Sequence, residues 1–415
     1  MKQLIIAILI LLTVLFESCS PKIKQVKENS SKSFGPTLIL VSFDGCRYDY
    51  PNLSNTPALD EIEAGGIKAD GLKTSFPSKT FPNHLSIVTG LFPENHGIIA
   101  NRIYDDTTGE SYTLGNGAPT QSKWYQGEPI WVTAERQGLK TAPFFWPGSE
   151  AEINGYRPTY YRAYDHDLSY EKRVTQILDW LDLSGEKRPQ FLSLYFDEPD
   201  HSGHVYGPAS TQAIAALENV DKQLVDLLNG IKSRQLEDKV NIMVVSDHGM
   251  TSLSREKVVF LDDYIDMEDV LIVDNSPVVA IRPDHGKTEA VYQQLKDVHP
   301  HMQVYRKEEV PDKYHYNDHK FIQPIIGILD LGWSATTHDY FNSHPNYPGK
   351  GTHGFDPDYQ DMNAIFYAKG PAFKKGVQLP VIQNIHLYEL MCAVLKIDPA
   401  PNDGNLGEVK VVLAE

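Results

Sequence analysis

A chain of 415 residues with a formal net charge of −17 is acidic and long enough for a large catalytic domain. Binding of polymeric nucleic acid needs a surface of Lys and Arg that neutralises phosphates, and no basic run occurs beyond the first 35 residues. We therefore expect no polymeric nucleic acid partner. The charge does not exclude small anionic substrates, because a bound metal ion can dominate the field inside a site.

The N-terminus has the pattern of an export signal. Lys2 precedes an almost unbroken apolar run at residues 4–16, which is too short for a comfortable transmembrane span. Cys19 stands where bacterial lipoproteins are processed; a cleaved secretory signal with an incidental cysteine is the alternative. We expect residues 1–19 to be a signal peptide of lipoprotein type and residues 20–35 a flexible tether. The protein would then be exported, in the periplasm or lipid-anchored at the outer membrane of a Gram-negative bacterium.

The rest of the chain is expected to be one domain stabilised by its core. Only Cys46 and Cys392 follow the signal, too few for a disulfide framework, and the sequence leaves open whether they pair. The candidate ligands described below run from Asp44 to His353. One site thus draws on nearly the whole chain, and we expect a single catalytic domain at 36–415, working as a monomer.

Strand and helix patterns alternate along the chain, which is typical of a largely parallel sheet covered on both faces. We therefore expect an α/β fold with a mostly parallel central sheet flanked by helices on both faces. Helices are predicted to begin near Pro82 and to span 130–136, 171–183, 211–228 and 384–395. A loop-rich cap is expected at about 91–170, and a second loop-rich insertion at about 305–352.

Three of the predicted buried strands end in an aspartate, and ligands of open α/β sheets bind outside the carboxyl ends of the strands. Histidines follow two of them, and a further histidine lies in the tight loop Thr352-His-Gly354. The candidate ligands are Asp44, Asp200, His204, Asp247, His248 and His353. Each element alone is weak, since an Asp-His pair is usually a solvated turn. Together, mixed carboxylates and imidazoles indicate a two-metal centre that suits zinc, and hence a metal-dependent hydrolase.

Thr80 is the candidate nucleophile. It lies just before the helix predicted to begin near Pro82, where free backbone N–H groups favour an anion. A threonine hydroxyl is a poor nucleophile unless a base or a metal activates it. The spacing is equally compatible with Thr80 or Ser78 merely capping the helix.

Short motifs stand at or beside these positions: Phe43-Asp-Gly45, Lys79-Thr-Phe-Pro-Asn-His84, Gly97-Ile-Ile-Ala-Asn101, Glu198-Pro-Asp200, Gly203-His204, Ser246-Asp-His-Gly-Met250 and Thr352-His-Gly354. Together they resemble the nucleotide pyrophosphatase/phosphodiesterase family of the alkaline phosphatase superfamily, in a bacterial member. The resemblance extends from Pro36 to Leu413 and includes further motifs in the cap. It implies an alkaline-phosphatase-like core and zinc-dependent hydrolysis of nucleotide phosphodiester and pyrophosphate bonds. Nucleoside triphosphates, dinucleotides and nucleotide esters would release nucleoside 5′-monophosphates through a phospho-threonine intermediate.

The resemblance also implies roles for individual residues, with two Zn²⁺ per chain. The first zinc would be held by Asp200, His204 and His353, and the second by Asp44, Asp247 and His248. Thr80 would bridge toward the second zinc as nucleophile, and Asn101 would donate its amide to a phosphate oxygen together with the Thr80 N–H. The substrate base would lie among Phe81, Leu114, Trp146, Tyr164 and Tyr195. From composition alone, these aromatics are better explained as core.

Two alternatives remain open at this point. A choline- or lipid-type phosphodiesterase of the same family would share the metal site. A surface binding lipoprotein without catalysis is a more distant alternative, disfavoured because every expected ligand and Thr80 are present. The basic residue that some relatives place near the terminal phosphates is replaced here at Pro119, with Lys123 as the nearest candidate.

Overall fold

The computed structural model describes residues 35–414, whose strands form a seven-stranded sheet, a four-stranded sheet and short two-stranded ladders. In chain order the strands are β1 (Thr37–Phe43), β2 (Ile67–Ala69), β3 (Leu72–Lys73), β4 (Ile103–Asp105), β5 (Glu110–Tyr112), β6 (Thr141–Phe144), β7 (Phe191–Phe196), β8 (Val240–Val245), β9 (Thr251–Ser252), β10 (Val258–Phe260), β11 (Val270–Asn275), β12 (Val278–Pro283), β13 (Met302–Arg306), β14 (Ile325–Leu329), β15 (Ser334–Thr336), β16 (Gly351–Thr352), β17 (Phe366–Lys369), β18 (Val377–Leu379) and β19 (Ile382–Gln383).

The α-helices of the same residues are α1 (Pro57–Gly65), α2 (Thr80–Thr89), α3 (Pro93–His96), α4 (Ile130–Arg136), α5 (Tyr170–Asp182), α6 (Asp200–Tyr206), α7 (Thr211–Ser233), α8 (Thr288–Leu295), α9 (His338–Ser343) and α10 (His386–Leu395). The predicted helix ends agree with these to within two residues, except for the end of α7. The helix α7 runs beyond the predicted 228, because Leu228 and Ile231 continue its buried stripe. Within 35–414, none of the helices is both long and apolar enough to cross a membrane.

The central sheet has the order β18-β2-β17-β8-β1-β7-β6. The strands β6, β7, β1 and β8 run parallel, whereas β17 is antiparallel to both β8 and β2. Each strand predicted from an apolar run ending in aspartate lies at the centre of this sheet. There, burial on both faces favours continuous apolar sequence.

Helices cover both faces of the sheet, and successive side chains of β1 point alternately into the two cores that lie beneath them. Leu38 and Leu40 belong to the core that includes residues of α2, α4 and α10. Ile39 and Val41 belong to the core that includes residues of α1, α5 and α7. The predicted α/β fold with a mostly parallel sheet between two helical layers is therefore confirmed.

The two segments predicted to be loop-rich contain more regular structure than expected. The strand β6, at the edge of the central sheet, lies within the predicted cap at 91–170. Its four residues include Pro143, a residue that is typical only of edge strands, so the pattern was weak. The second predicted insertion, 305–352, includes β14, which pairs with β12 and β13 in the antiparallel sheet β11-β12-β14-β13.

The two cysteines that follow the predicted signal do not pair. Cys46 and Cys392 are buried free thiols in the two different cores, on opposite faces of the sheet. The predicted signal peptide with Cys19, and the predicted tether up to residue 34, lie outside the described residues.

Candidate active site

Three neighbouring parallel strands bring carboxylates together at one edge of the sheet. Asp44 directly follows β1, Asp247 follows β8, and Asp200 opens α6 after β7. Because β7 and β8 both pair with β1, these ends are adjacent. Backbone bonds hold them, with the Asp44 N–H donating to Phe196 O and the Asp200 N–H donating to Asp44 O, each at 3.0 Å.

The candidate ligands form two overlapping clusters. In each, one ligand atom per residue lies within 4.8 Å of the others; the clusters are Asp44, Asp247 and His248, and Asp200, His248 and His353. The first cluster is the set expected for the second zinc. In the other, His248 takes the place expected for His204, whose Nε2 lies 3.4 Å from Asp200 Oδ1 at the margin of the cluster.

All three histidines are oriented by their backbone surroundings. The Nδ1 of His204 bonds Gly351 O at 2.8 Å, that of His248 bonds Gly249 O at 2.9 Å, and that of His353 bonds Ser78 O at 2.8 Å. A carbonyl can only accept, so Nδ1 carries the proton in each ring. Every Nε2 is thereby left with a lone pair for a metal, which is the usual arrangement of histidine ligands.

The carboxylates fit a cation for a related reason. Asp44 Oδ1, Asp200 Oδ1 and Asp247 Oδ2 are buried oxygens without a hydrogen-bond partner. The other oxygen of Asp247 accepts bonds from the Gly45 N–H at 3.2 Å and from Ser246 Oγ at 3.3 Å. Leaving a buried carboxylate oxygen unpaired is costly unless a charge compensates it. A set of such oxygens beside free imidazole nitrogens is a donor set that fits a divalent cation such as zinc.

The electrostatics of the cluster support this interpretation. Burial, together with the charges of Asp247 and Asp200, raises the pKa of Asp44. Burial would also raise the pKa of Asp247, but the combined effect of the neighbouring His248, His84 and His353 outweighs it and the pKa of Asp247 is lowered. Burial lowers the pKa of His353, with His248 adding to the effect, so this imidazole stays neutral. A bound cation would relieve the repulsion among these acids.

Thr80 lies at the edge of this cluster as the first residue of α2. Its Oγ1 is 3.2 Å from His248 Nε2. The structure excludes the capping alternative for both residues considered. The N-cap is Lys79, which makes no side-chain cap bond, and Ser78 Oγ donates to Phe355 O at 2.5 Å. The Thr80 hydroxyl is therefore free for chemistry.

Asn101 lies close to the same helix end. Its Oδ1 accepts a hydrogen bond from the Phe81 N–H at 2.9 Å. The amide oxygen is thus held by the first turn of α2, and the Nδ2 hydrogens are left to donate elsewhere. This orientation is compatible with the expected donation to a phosphate oxygen.

A cavity of about 330 Å³ opens beside the cluster. Its wall includes Asp44, Thr80 and Asp200 together with the residues expected to surround a base, Phe81, Leu114, Trp146, Tyr164 and Tyr195. Leu114 is 54% exposed and Tyr164 is 48% exposed, so both face the opening rather than the core. Trp146 is 2% exposed and donates from Nε1 to His84 O at 3.1 Å, so this side chain serves the core as well.

The sequence analysis did not assign every residue of the wall. Phe145 and Glu150 line the cavity, and the Glu150 carboxylate accepts a bond from the Tyr164 N–H at 3.0 Å. Phe145 lies inside the motif Phe144-Phe-Trp-Pro-Gly-Ser149, which was the available signal. Lys123 is not part of the wall; it pairs with Glu110 at the surface.

The chain matches known proteins over most of its length. A family model described as type I phosphodiesterase / nucleotide pyrophosphatase matches residues 38–356. A bis(5′-adenosyl)-triphosphatase of Xenopus laevis is 38% identical over 389 residues, covering 93% of this chain and 84% of that protein. Human ectonucleotide pyrophosphatase/phosphodiesterase family member 1 is 37% identical over 390 residues. The match covers 91% of this chain but only 42% of the human protein.

A solved structure shows the same fold. Murine ectonucleotide pyrophosphatase/phosphodiesterase 5, as an inactive variant in complex with AMP, superposes with a TM-score of 0.87 at 36% identity, covering 91% of this chain and 100% of that one. The family model and these relatives agree with the geometry of the site. The chain therefore belongs to the type I phosphodiesterase / nucleotide pyrophosphatase family and is an enzyme of that class.

Proposed function

We propose that this enzyme hydrolyses nucleotide phosphodiester and pyrophosphate bonds with two zinc ions and releases nucleoside 5′-monophosphates. Nucleoside triphosphates, dinucleotides and nucleotide esters are the substrates proposed. One observation carries the proposal: a single cavity is lined both by Asp44, Asp200 and Thr80 and by aromatic side chains, among which Tyr164 is exposed. A phosphate placed against the cluster leaves its nucleoside among those side chains.

The proposed reaction has two steps. The Thr80 oxygen forms a bond to phosphorus as the bond to the leaving oxygen breaks, which gives a phospho-threonine. Water then cleaves the bond between Thr80 Oγ1 and phosphorus, which releases the 5′-monophosphate and restores the hydroxyl. When bound, the two cations would stabilise charge on the attacking and leaving oxygens and favour ionised forms of the hydroxyl and of the water.

The protein groups position the phosphate. The Thr80 N–H at the start of α2 and the Asn101 amide would donate to the non-bridging oxygens, which gain charge in the transition state. The orientation of Asn101 supports this role, because its oxygen is already held by the Phe81 N–H at 2.9 Å. The murine relative solved with AMP is an inactive threonine-to-alanine variant, which supports a threonine as the nucleophile of this family.

The aromatic wall supports a nucleotide rather than another diester. Base stacking on aromatic side chains contributes about 1–3 kcal/mol per base and tolerates any base. Phe81 and Tyr164 offer such faces at the cavity. The names of the relatives, which refer to nucleotides and to bis(5′-adenosyl) triphosphate, point to the same substrate class.

A substrate comparison tests the proposal. The zinc-loaded enzyme is given the nitrophenyl ester of thymidine monophosphate, nitrophenyl phosphate and nitrophenyl phosphorylcholine, each with and without chelator. We expect a strong, chelator-sensitive preference for the nucleotide ester. Preference for phosphorylcholine would assign the enzyme to choline-type esterases. Absence of both metal and turnover would point to the binding lipoprotein.

We also propose that the chain is exported and that a lipid on Cys19 is its only membrane attachment, at the outer membrane or facing the periplasm of a Gram-negative cell. The support is the signal pattern at residues 1–19. We expect Cys19→Ala to move the protein from the membrane fraction to the soluble fraction as a monomer. Retention in the membrane fraction would contradict the anchor, and a dimer in sedimentation would contradict the monomer.

A further inference from the structure

The carboxylate of Asp44 is held by a side chain that also lines the cavity. Asp44 is 2% exposed, and its Oδ2 accepts a hydrogen bond from the Tyr195 hydroxyl at 2.6 Å. Its Oδ1 has no partner and lies 3.5 Å from His248 Nε2. One oxygen of this carboxylate is therefore occupied by the protein, and the other faces the cluster.

This bond has the properties of a strong orienting contact. A hydroxyl that donates to a buried carboxylate makes a short, charge-assisted bond that is stronger than a neutral one. With one lone pair of Oδ2 taken by the hydroxyl, Oδ1 is the unpartnered oxygen that Asp44 presents to a cation. Asp247 is treated in the same way by the Gly45 N–H and Ser246 Oγ. The difference is that the main donor to Asp44 is a side-chain hydroxyl, which a single substitution removes.

We infer that Tyr195 is a positioning residue, whose hydroxyl holds Asp44 as a one-oxygen zinc ligand. The inference rests on the proposed function in that it takes Asp44 as a zinc ligand. It assigns the hydroxyl of Tyr195 to the metal site and only the ring to the cavity wall.

The surroundings of Tyr195 keep the hydroxyl in place. Tyr195 pairs with Ser42 in the register between β7 and β1, so it lies beside the end of the strand that carries Asp44. Its carbonyl accepts a bond from Arg173 Nη1 at 3.0 Å, and the Arg173 side chain is almost wholly buried. Its ring meets that of His84 edge-on at 5.4 Å. A ligand held by a donor that is itself fixed loses little conformational entropy when the metal binds.

Tyr195→Phe separates the two assignments, because it removes the hydroxyl and keeps the ring. Zinc affinity is measured on the metal-free protein by competition with a chromogenic chelator, without substrate. We expect affinity at one site to fall about 10-fold to 100-fold, the range found when partners of metal ligands are removed. In the zinc-loaded enzyme, kcat for the nucleotide ester is expected to fall while KM changes little.

Tyr170→Phe is the matched control. The Tyr170 hydroxyl also donates to an aspartate, Asp197 Oδ1 at 3.2 Å, but that aspartate is in neither cluster. We expect zinc affinity of this variant to equal that of the unchanged protein. The inference would be overturned if Tyr195→Phe bound zinc as tightly as the unchanged protein. It would also be overturned if Tyr195→Phe and Tyr170→Phe lost zinc affinity to the same extent. Zinc affinity is measured without substrate, so it does not depend on nucleotide hydrolysis. An unchanged protein that fails to hydrolyse nucleotides would refute the proposed function but would not change the zinc-affinity comparison.

Discussion

At the scale of single residues, most side chains of the candidate site have one polar atom held by a hydrogen bond to the surrounding protein. The hydroxyl of Thr80 is an exception, since it meets only His248 Nε2 at 3.2 Å and caps nothing. Asn101 has its oxygen held and its hydrogens free. Such an arrangement leaves the reactive atoms available and orients the supporting ones, as a preorganised site requires.

The first prediction concerns the nucleophile. Thr80→Ala is expected to reduce turnover of the nucleotide ester by about three orders of magnitude or more, because the attacking oxygen is lost. Zinc content should stay near that of the unchanged protein, since all the aspartate and histidine candidates of the two clusters remain. Thr80→Ser keeps a hydroxyl and is the matched control, expected to retain much more activity. A Thr80→Ala enzyme with most of its turnover would refute the assignment.

The second prediction concerns the wall of the cavity. Tyr164→Ala is expected to raise KM for the nucleotide ester about 5-fold to 150-fold, the equivalent of one lost stacking contact. Hydrolysis of bis(nitrophenyl) phosphate, which has no base, serves as the internal comparison and should change less. Tyr161 is 40% exposed and does not line the cavity, so Tyr161→Ala is the matched control. Equal effects on both substrates would contradict a base-stacking role.

At the scale of elements, α2 is held against α3 by a buried histidine. His96 Nε2 donates to Pro82 O at 3.1 Å, while its Nδ1 accepts from the Ile98 N–H at 3.2 Å. Only the neutral imidazole can make both bonds, because a protonated Nδ1 cannot accept one. Burial accordingly lowers the pKa of His96 to about 3. The helix that begins with Thr80 is thus supported by a group that cannot be protonated without losing a bond.

The third prediction follows from that pKa. Its folded value of about 3 lies below the ordinary 6.5, so protonation favours the unfolded chain. The contribution of His96 to stability is fully present above pH 6.5 and is lost as the pH falls toward 3. The loss amounts to about 2 kcal/mol at pH 5.

Denaturant unfolding at pH 7 and pH 5 measures this effect. His96→Gln should be less stable at pH 7 and should lose less stability between the two values than the unchanged protein. His285 is exposed, and His285→Gln should keep the original difference. If His96→Gln also keeps the original difference in stability between pH 7 and pH 5, the pH dependence comes from other groups.

At the scale of the whole molecule, the antiparallel sheet formed by β11 to β14 is joined to the catalytic segment by an ion pair. Lys79, directly before Thr80, pairs with Asp274 at the end of β11 and also donates to Ser276 O at 3.3 Å. The side chains are 8% and 16% exposed. Gly354, beside His353, packs against both the Lys79 stem and Pro277. The loop that carries His353, the start of α2 and the antiparallel sheet therefore meet at this contact.

The fourth prediction tests that contact. Asp274→Ala should lower the free energy of unfolding by about 3 kcal/mol, because it leaves the Lys79 charge largely buried and unpaired. The double variant Lys79→Met with Asp274→Ala should recover part of the loss, since no charge then remains. The exposed pair Lys68–Glu63 is the control; Glu63→Gln should change stability by less than about 1 kcal/mol. If Asp274→Ala lowered the free energy of unfolding by no more than Glu63→Gln does, the ion pair would be dispensable for stability.

Much of the candidate site could be predicted because its candidate ligands follow strands with a strong pattern. Asp44 and Asp247 come just after runs that are buried on both faces, Asp200 opens the helix that follows a third, and parallel neighbours end at the same edge. The short strand β6 and the antiparallel sheet within 270–329 could not be predicted in the same way. The strand β6 pairs with β7 across an intervening helix, and β12 and β13 both pair with β14, so these partners do not follow from a local pattern.

The sequence by itself determined the inventory of the site: which side chains can hold zinc, which hydroxyl can attack, and which aromatics can meet a base. Only the tertiary structure decided how these groups are oriented. It placed His248 between both clusters, put His204 at the margin, and directed the Tyr195 hydroxyl to Asp44. The physical reason is that composition and spacing place a residue on an element. The direction of a lone pair depends on hydrogen bonds from other elements, which exist only once the chain has folded.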